Sequence, residues 1–298
     1  MLTLPTLYAL GTHFWIEIFD EQVTEETLDK IFGLVQGFLT KFENDYSRFT
    51  ATSLISRLNT SRELLDSPLE LAELLRLGVK LYDDTNGIFN LLIGETLAAR
   101  GYDAAYTFTA QPEPAIIPNP HESLSIETDK ITLTHGQIDI GGYGKGYAID
   151  AIVTLLKERC GIDYFLINGG GDMYGTSDKG TPITIYLEHP IEPETYIGRT
   201  TIFNNGFAAS SHHKRRWRSG GKTYHHIVDT KGSGMLASDA SFITAPSALL
   251  ADVFGTVALL ANTPAMNHFA TKYELGVANF IAPSTLTHNQ HFNLQILD

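Results

Sequence analysis

The sequence predicts an α+β fold, one mixed unit spanning 1–298. Three observations support this. Short stretches of alternating apolar and polar residues read as strands, and longer stretches with apolar residues three and four apart read as amphipathic helices. The regular βαβ alternation that a doubly wound parallel sheet requires is missing from the first half. With 298 residues, 43% of them hydrophobic and 18% charged, the composition is globular, and a chain of this length buries roughly three quarters of its unfolded surface.

From Leu7 to Phe19, Phe14, Ile16 and Ile18 alternate with Trp15 and Glu17, a strand interrupted by a turn at Gly11. Leu28, Ile31, Phe32, Val35, Phe38, Leu39 and Phe42 then recur at helical spacing behind Glu25 and Glu26, giving a helix that ends near Phe42. Ser67-Pro68-Leu69-Glu70 offers an N-cap serine, a proline at the first helical position and a glutamate for a capping box, so a second helix is predicted to about Leu81. Residues 104–130, with Pro112, Pro114, Pro118 and Pro120, read as a long connection without a domain boundary. ITLTHGQIDIGG (131–142) reads as paired strands, Lys145 to Arg159 as a helix and Tyr164 to Asn168 as a buried strand. Further strands are expected at Ile183 to Leu187 and Tyr224 to Val228, and a last helix from about Pro246 to Ala261, stopped by Asn262-Thr263-Pro264.

The net charge of −13 opposes any general attraction to nucleic acid or to an anionic membrane surface. Cys160 is the single cysteine, which excludes an internal disulfide or a cysteine-rich metal site and is expected to be a partly buried helix-end residue. Ala245 to Ala261 is short for a bilayer span and carries Asp252, so no transmembrane helix is read. The first twenty residues lack a basic n-region and an apolar h-region, and a cytoplasmic location is expected.

Four constellations have chemical potential. Asp139-Ile140-Gly141-Gly142-Tyr143-Gly144-Lys145-Gly146 is a glycine-rich loop between a strand and a helix with a lysine at the junction. It suits a phosphate or pyrophosphate approached by backbone N–H groups, or equally a tight turn with a solvated lysine. Asn168-Gly169-Gly170-Gly171-Asp172 is a second such loop, and two together favour a shared ligand crevice. His212, His213, His225 and His226 flank the cationic run Lys214, Arg215, Arg216, Arg218. Adjacent histidines on a strand point to opposite faces, which favours one proton relay, His226, over a zinc site, with His225 turned to solvent or packing. Asp252 and Thr256 lie one turn apart on a helix, either as hard oxygen ligands for magnesium or as a lysine partner and a back-bonded hydroxyl.

In this order the motifs resemble the ApbE family of magnesium-dependent FAD:protein FMN transferases. Leu10-Gly11-Thr12 is similar to that family's Met-Gly-Thr, and Phe49 with Ser53-x-Ile55-Ser56-Arg57-Leu58-Asn59 to its aromatic-(x)3-Ser-Glu-(Leu/Ile)-Ser-x-(Leu/Phe)-Asn segment. Thr85 to Asn90 resembles Thr-x-Gly-x-Phe-Asp, and Asp139 to Asp150 resembles Asp-Leu-Gly-Gly-Ile-Ala-Lys-Gly-Tyr-Ala-x-Asp. Asn168 to Asp172, Ala209-Ser210-Ser211, His226-Ile227-Val228-Asp229 and the Ala245 to Thr256 helix follow in family order. Leu10, Gly144 and Asn90 depart mildly from the pattern, whereas Asp229-Thr230-Lys231-Gly232-Ser233-Gly234 lacks the family's proline and carries an extra residue.

The resemblance implies an ApbE-like, T-fold-like architecture, a single domain of mostly antiparallel sheets with packed helices, and an enzyme that moves FMN from FAD to a Thr or Ser hydroxyl of an acceptor flavoprotein, with AMP as leaving group and Mg²⁺ as cofactor. It implies His226 as the catalytic residue, and Asp252, Thr256 and a backbone carbonyl, that of Gly142, as the metal ligands. Lys145 would face the FAD and Phe49 would stack on the flavin nucleotide, while Leu10, Gly11, Thr12, Phe89, Asn90 and Ile227 would line the same pocket. An FAD pyrophosphatase, releasing FMN and AMP, and a non-catalytic FAD-binding protein are the alternatives. Neither nucleic acid nor a membrane span enters any of these readings.

Overall fold

The computed structural model describes residues 2–20, 22–177, 180–232 and 236–297; Ser233 and Gly234 of the altered acceptor-side motif lie outside them. The chain gathers into two compact units, each assembled from separated stretches. One comprises Met1–Lys41, Tyr143–Ser211 and Leu236–Asp298, the other Phe42–Gly142 and His212–Met235.

The first unit is built on a nine-stranded sheet. Its order is Leu2–Thr3, Thr12–Ile18, Phe165–Gly169, Asp172–Thr176, Asn205–Ser211, Ala240–Ala245, Gly276–Ile281 and Thr285–His288, with Leu7–Ala9 also paired to Thr12–Ile18. Each pairing is antiparallel. A three-stranded antiparallel sheet, Gln295–Ile296, Tyr196–Ile202 and Ile183–Glu188, supplies Ile185, Leu187 and Ile202 to a core completed by Leu166, Phe207, Phe242, Phe280 and Phe292. Helix Ala248–Leu260 packs on strands Asn205–Ser211 and Ala240–Ala245, and helix Gly144–Thr154 lies beside it. Backbone approach there is close enough to require glycine. A Cβ on Gly206 would stand 2.5 Å from the Ser247 carbonyl oxygen, and one on Gly255 2.7 Å from Ser210 Oγ.

The second unit holds helices Leu54–Ser61, Leu69–Asp84 and Gly94–Ala99. It also contains a three-stranded sheet ordered Glu63–Leu65, Lys130–Leu133, Leu124–Ile126, and the hairpin Arg216–Ser219/Lys222–His225. No described helix in either unit is long and apolar enough to cross a membrane.

The α+β class and the antiparallel pairing agree with the expectation; several elements differ, each for a local reason. Ser67 does not cap the second helix: Pro68 takes the N-cap in an extended conformation, the helix runs Leu69–Asp84, and Ser67 Oγ is buried with no partner among the described residues. ITLTHGQIDIGG does not form paired strands beyond Leu133. The Asn59 side chain takes both the N–H and the carbonyl of Ile138, at 2.7 and 2.9 Å, the place a neighbouring strand would fill. The predicted strand at Tyr224 to Val228 ends at His225, because the Ile227 carbonyl accepts from Arg100 Nη1 rather than from a strand. Asn262-Thr263-Pro264 stops one helix by starting another: the Asn262 side chain accepts from Ala265 N and caps Thr263–Tyr273. The helix from Lys145 ends its α-helical part at Thr154 and finishes in a π-helical turn, Leu155–Arg159, with Cys160 half-buried behind it as expected. Strand Ala240–Ala245 is buried on every residue and so shows no alternation to read.

Replacing Gly206 with Ala is expected to lower stability by about 1–3 kcal/mol, because the added methyl meets backbone rather than a movable side chain. Urea unfolding monitored by circular dichroism would measure this; a midpoint equal to wild type would refute the close approach.

Candidate functional site

In the first unit, the hairpin turn between Leu7–Ala9 and Thr12–Ile18 consists of Leu10 and Gly11, both left-handed, at φ 54° and 70°. Thr12 is thereby placed against the second glycine loop, where a Cβ on Gly170 would lie 2.1 Å from Thr12 Oγ1. That loop is closed by Asn168, whose Oδ1 accepts the Gly171 N–H at 2.9 Å, and it leads into Asp172. Glycine is required at 170 and 171 because φ there is 77° and 102°.

Lys145 stands at the start of helix Gly144–Thr154 and its ammonium bridges two buried carboxylates. Nζ lies 2.8 Å from Asp172 Oδ2 and donates to Asp252 Oδ1 and Oδ2 at 3.1 and 3.2 Å. Asp252 also accepts the backbone N–H of Gly146 at 3.0 Å. The two helices can come this close because residue 146 is glycine: a Cβ there would sit 2.6 Å from both the Ala248 oxygen and Leu249 Cα. Asp150, a turn along the same helix, accepts from Ala248 N and Leu249 N at 2.9 and 3.0 Å and so fixes the start of the helix that carries Asp252. Ser247 caps that helix through Leu250 N. Thr256 lies one turn beyond Asp252 and is half-buried.

Two carboxylates against one ammonium leave an excess negative charge in a buried place. Burial and the neighbouring Asp172 charge push the Asp252 carboxyl up to about 7, against the stabilising pull of Lys145 and Gly146. Burial also acts against the Lys145 charge, but Asp172 and Asp252 outweigh it and hold that ammonium well above the usual lysine range. Burial raises Asp150, and the Leu249 and Ala248 N–H groups only partly offset the rise. The lysine-partner alternative for Asp252 is therefore realised, and the pair retains acceptor capacity.

In the second unit the Phe89 ring packs over the Gly142 backbone, where an added Cβ would meet Phe89 Cε2 at 3.1 Å. Asn90 is buried with both ends of its amide engaged: Nδ2 donates to the Pro118 carbonyl at 3.0 Å and Oδ1 accepts from Leu92 N at 2.9 Å. Asp139 pairs with Arg48 and accepts the Gly141 N–H at 2.5 Å, which orients the loop ahead of Gly142. Phe49 lies under the Arg48 guanidinium, 4.1 Å from the ring centroid. His226 is half-buried, with Nδ1 3.4 Å from the Arg215 carbonyl, and Ile227 is buried. His225 turns to packing as expected. Burial, with His212 and Arg100 nearby, pulls its imidazole down to about 4.

Within its own unit, each sequence-predicted site residue therefore has a defined setting: Leu10, Gly11, Thr12, Lys145, Asp252 and Thr256 in the first, and Phe49, Phe89, Asn90, Gly142, His226 and Ile227 in the second. Sequence reasoning passed over Asp172 as the second carboxylate, although an aspartate closing a triple-glycine loop was a visible signal. Asp150 was visible only as the last letter of a motif.

Two outcomes follow. Lys145→Met is expected to destabilise the fold by about 3 kcal/mol near pH 8, because it leaves Asp172 and Asp252 facing each other unpaired. The loss should shrink toward pH 5 as Asp252 takes up a proton; a pH-independent loss in denaturant unfolding would contradict the pairing. The neutral His225 refuses a proton that the unfolded chain accepts below about pH 6.5, so its contribution to stability declines as pH falls from there toward about 4. NMR titration of its Cε1–H should give a midpoint near 4, and a midpoint near 6.5 would count against the buried setting.

A sequence model of the ApbE family matches residues 10–281. The FAD:protein FMN transferase of Escherichia coli K12 is 23% identical over 275 residues, covering 83% of this chain and 75% of that protein. Among solved structures, the ApbE protein of Thermotoga maritima superposes with a TM-score of 0.83 at 18% identity, covering 96% of each chain. The flavinyl transferase ApbE of Pseudomonas stutzeri gives 0.76 at 18% identity, covering 97% of this chain and 95% of its own. The fold and the order of the glycine loops, the buried aspartates and the His226 segment are thus accounted for together: the chain belongs to the ApbE family.

Proposed function

We propose that this chain is an FAD:protein FMN transferase, acting as one flavin transferase domain over 1–298, that attaches FMN through a phosphoester to a Thr or Ser of an acceptor flavoprotein and releases AMP. The family match runs through both units, and one observation supports the chemistry most strongly: the buried Asp172–Lys145–Asp252 cluster is short of one positive charge. A divalent cation of hard character fits that deficit, since the side chains that would hold it, Asp252 and Thr256, offer oxygen only, with the Gly142 carbonyl as third ligand. When bound, Mg²⁺ would supply charge withdrawal from the pyrophosphate.

The chain's own residues do the rest of the work in this reading. Lys145 neutralises phosphate charge and holds Asp172 and Asp252 in register. Leu10 to Thr12, Phe49, Phe89, Asn90 and Ile227 position the dinucleotide. His226 accepts the proton of the acceptor hydroxyl as its oxygen attacks the FMN phosphorus; the bond from that phosphorus to the AMP oxygen breaks, and AMP carries away the displaced charge. A cytoplasmic location belongs to the same reading.

The deciding experiment mixes the protein with FAD and MgCl₂, with and without a flavoprotein bearing an acceptor Thr, and follows AMP and acceptor mass. Acceptor mass raised by one FMN, lost on His226→Ala or Asp252→Ala, is the expected result. AMP with free FMN and an unlabelled acceptor would instead make the chain a pyrophosphatase, and FAD binding without AMP would make it a binding protein. Because a proton competes with the cation for Asp252, Mg²⁺ affinity measured by calorimetry should fall by roughly tenfold per pH unit below about 7, with proton release on binding. A flat profile between pH 5 and 7 would remove Asp252 from the ligand set.

A further inference from the structure

The stretch that follows His226 is where this chain departs furthest from the ApbE pattern, with Thr230 after Asp229 in place of proline. Within the second unit, Thr230 makes a tie that a proline could not. Its Oγ1 donates to the Gly87 carbonyl at 2.7 Å and stands 3.0 Å from the Ile88 carbonyl. Lys231 follows onto the same turn. Its backbone N–H donates to Asp229 Oδ1 at 2.9 Å, and its Nζ lies 2.9 Å from where a Cβ on Gly87 would stand.

The receiving turn is itself firmly built. It closes helix Leu69–Asp84 through Asn86 and Gly87, both left-handed at φ 53° and 73°, with Gly87 N donating to the Tyr82 carbonyl at 2.7 Å. The buried Thr85 hydroxyl accepts from Phe89 N at 3.0 Å, so the turn leads in a fixed direction to the ring that packs over Gly142. At the other end of the stretch, the Ile227 carbonyl accepts from Arg100 Nη1 at 3.2 Å, and Arg100 is held in turn by Glu113 at 3.1 Å. Ile227 and Val228 are buried. The backbone leaving His226 is thus pinned at residue 227 and again at residue 230.

We infer that Thr230 is a positioning residue for His226: its hydroxyl registers the proton-accepting imidazole against the turn that carries Phe89. This rests on the transferase reading above. A general base works only within hydrogen-bond reach of the hydroxyl it deprotonates, and displacing such a group costs rate rather than affinity. Thr230 acts through the backbone from 227 to 230 and not on a reacting atom.

The test measures FMN transfer from FAD to a flavoprotein bearing an acceptor Thr, in MgCl₂, by the full chain as wild type, Thr230→Val, Thr230→Ala and Thr230→Ser. Valine keeps the shape of threonine without its donor, alanine is a second donor-free variant should valine not fold, and serine keeps the donor. The expected result is kcat lowered roughly tenfold in T230V and T230A with KM for FAD within about twofold of wild type, and near wild-type kcat in T230S. A merely structural role would lower the unfolding midpoint and leave kcat unchanged at temperatures below it. Independently of turnover, the Cε1–H NMR signal of His226 should shift in T230V and return in T230S, while that of His13, in the first unit, stays in place. Wild-type kcat in T230V overturns the inference, as does a loss in T230S as large as in T230V, a loss confined to KM for FAD, or an unmoved His226 signal. A wild type that transfers no FMN fails the transferase reading itself, and the NMR comparison then decides the Thr230 tie alone.

Discussion

The Lys145 ammonium held between Asp172 and Asp252 is the constraint on which the first unit's chemistry depends. Three separated stretches of sequence, a glycine loop, a strand end and a helix, each deliver one of its members. Gly146 lets the helix bearing Asp252 approach, and Asp150, a turn along the same helix as Gly146, holds the start of the Asp252 helix. The buried cluster is not there primarily for stability, since ion pairs of this kind often give back in desolvation what they gain in attraction. In the function proposed above, its excess negative charge is what a bound cation would balance.

The second unit shows the same economy with different groups. Asp139 pairs with Arg48, whose guanidinium lies over Phe49, and the same Asp139 receives the Gly141 N–H, so one carboxylate orders both an aromatic and a glycine turn. The hairpin Arg216–Ser219/Lys222–His225 is seated by Trp217, whose indole N–H donates to the Arg100 carbonyl while its ring stacks on Tyr102. Its arginines therefore ride on a fixed ribbon.

What was legible in the sequence follows from the range of each signal. Helices with one apolar face, such as Glu25–Tyr46, and strands with one, such as Thr12–Ile18, declare themselves through periodicity. Strands buried on both faces, such as Ala240–Ala245, and strands of small residues, such as Asn205–Ser211, do not. Asp252 and Thr256 could be read as a pair because they lie one turn apart on a helix. Asp172, eighty residues from Asp252, could not be read as its neighbour, because nothing local encodes that meeting. Ser67 and Ile138 misled for a related reason: a cap and a strand each depend on a partner, and here the partners were a proline conformation and the Asn59 side chain.

Asn90 carries one last implication. An amide presents a donor and an acceptor at once, and here each meets its opposite, a carbonyl at Pro118 and an N–H at Leu92. A carboxylate has only the second polarity, so an aspartate at this position would set oxygen against oxygen at Pro118 and remove this tie to the proline-rich stretch. The single atom that distinguishes asparagine from the family's usual aspartate thus decides whether the Pro118 carbonyl keeps a side-chain donor, beside the tie that Glu113 makes to Arg100.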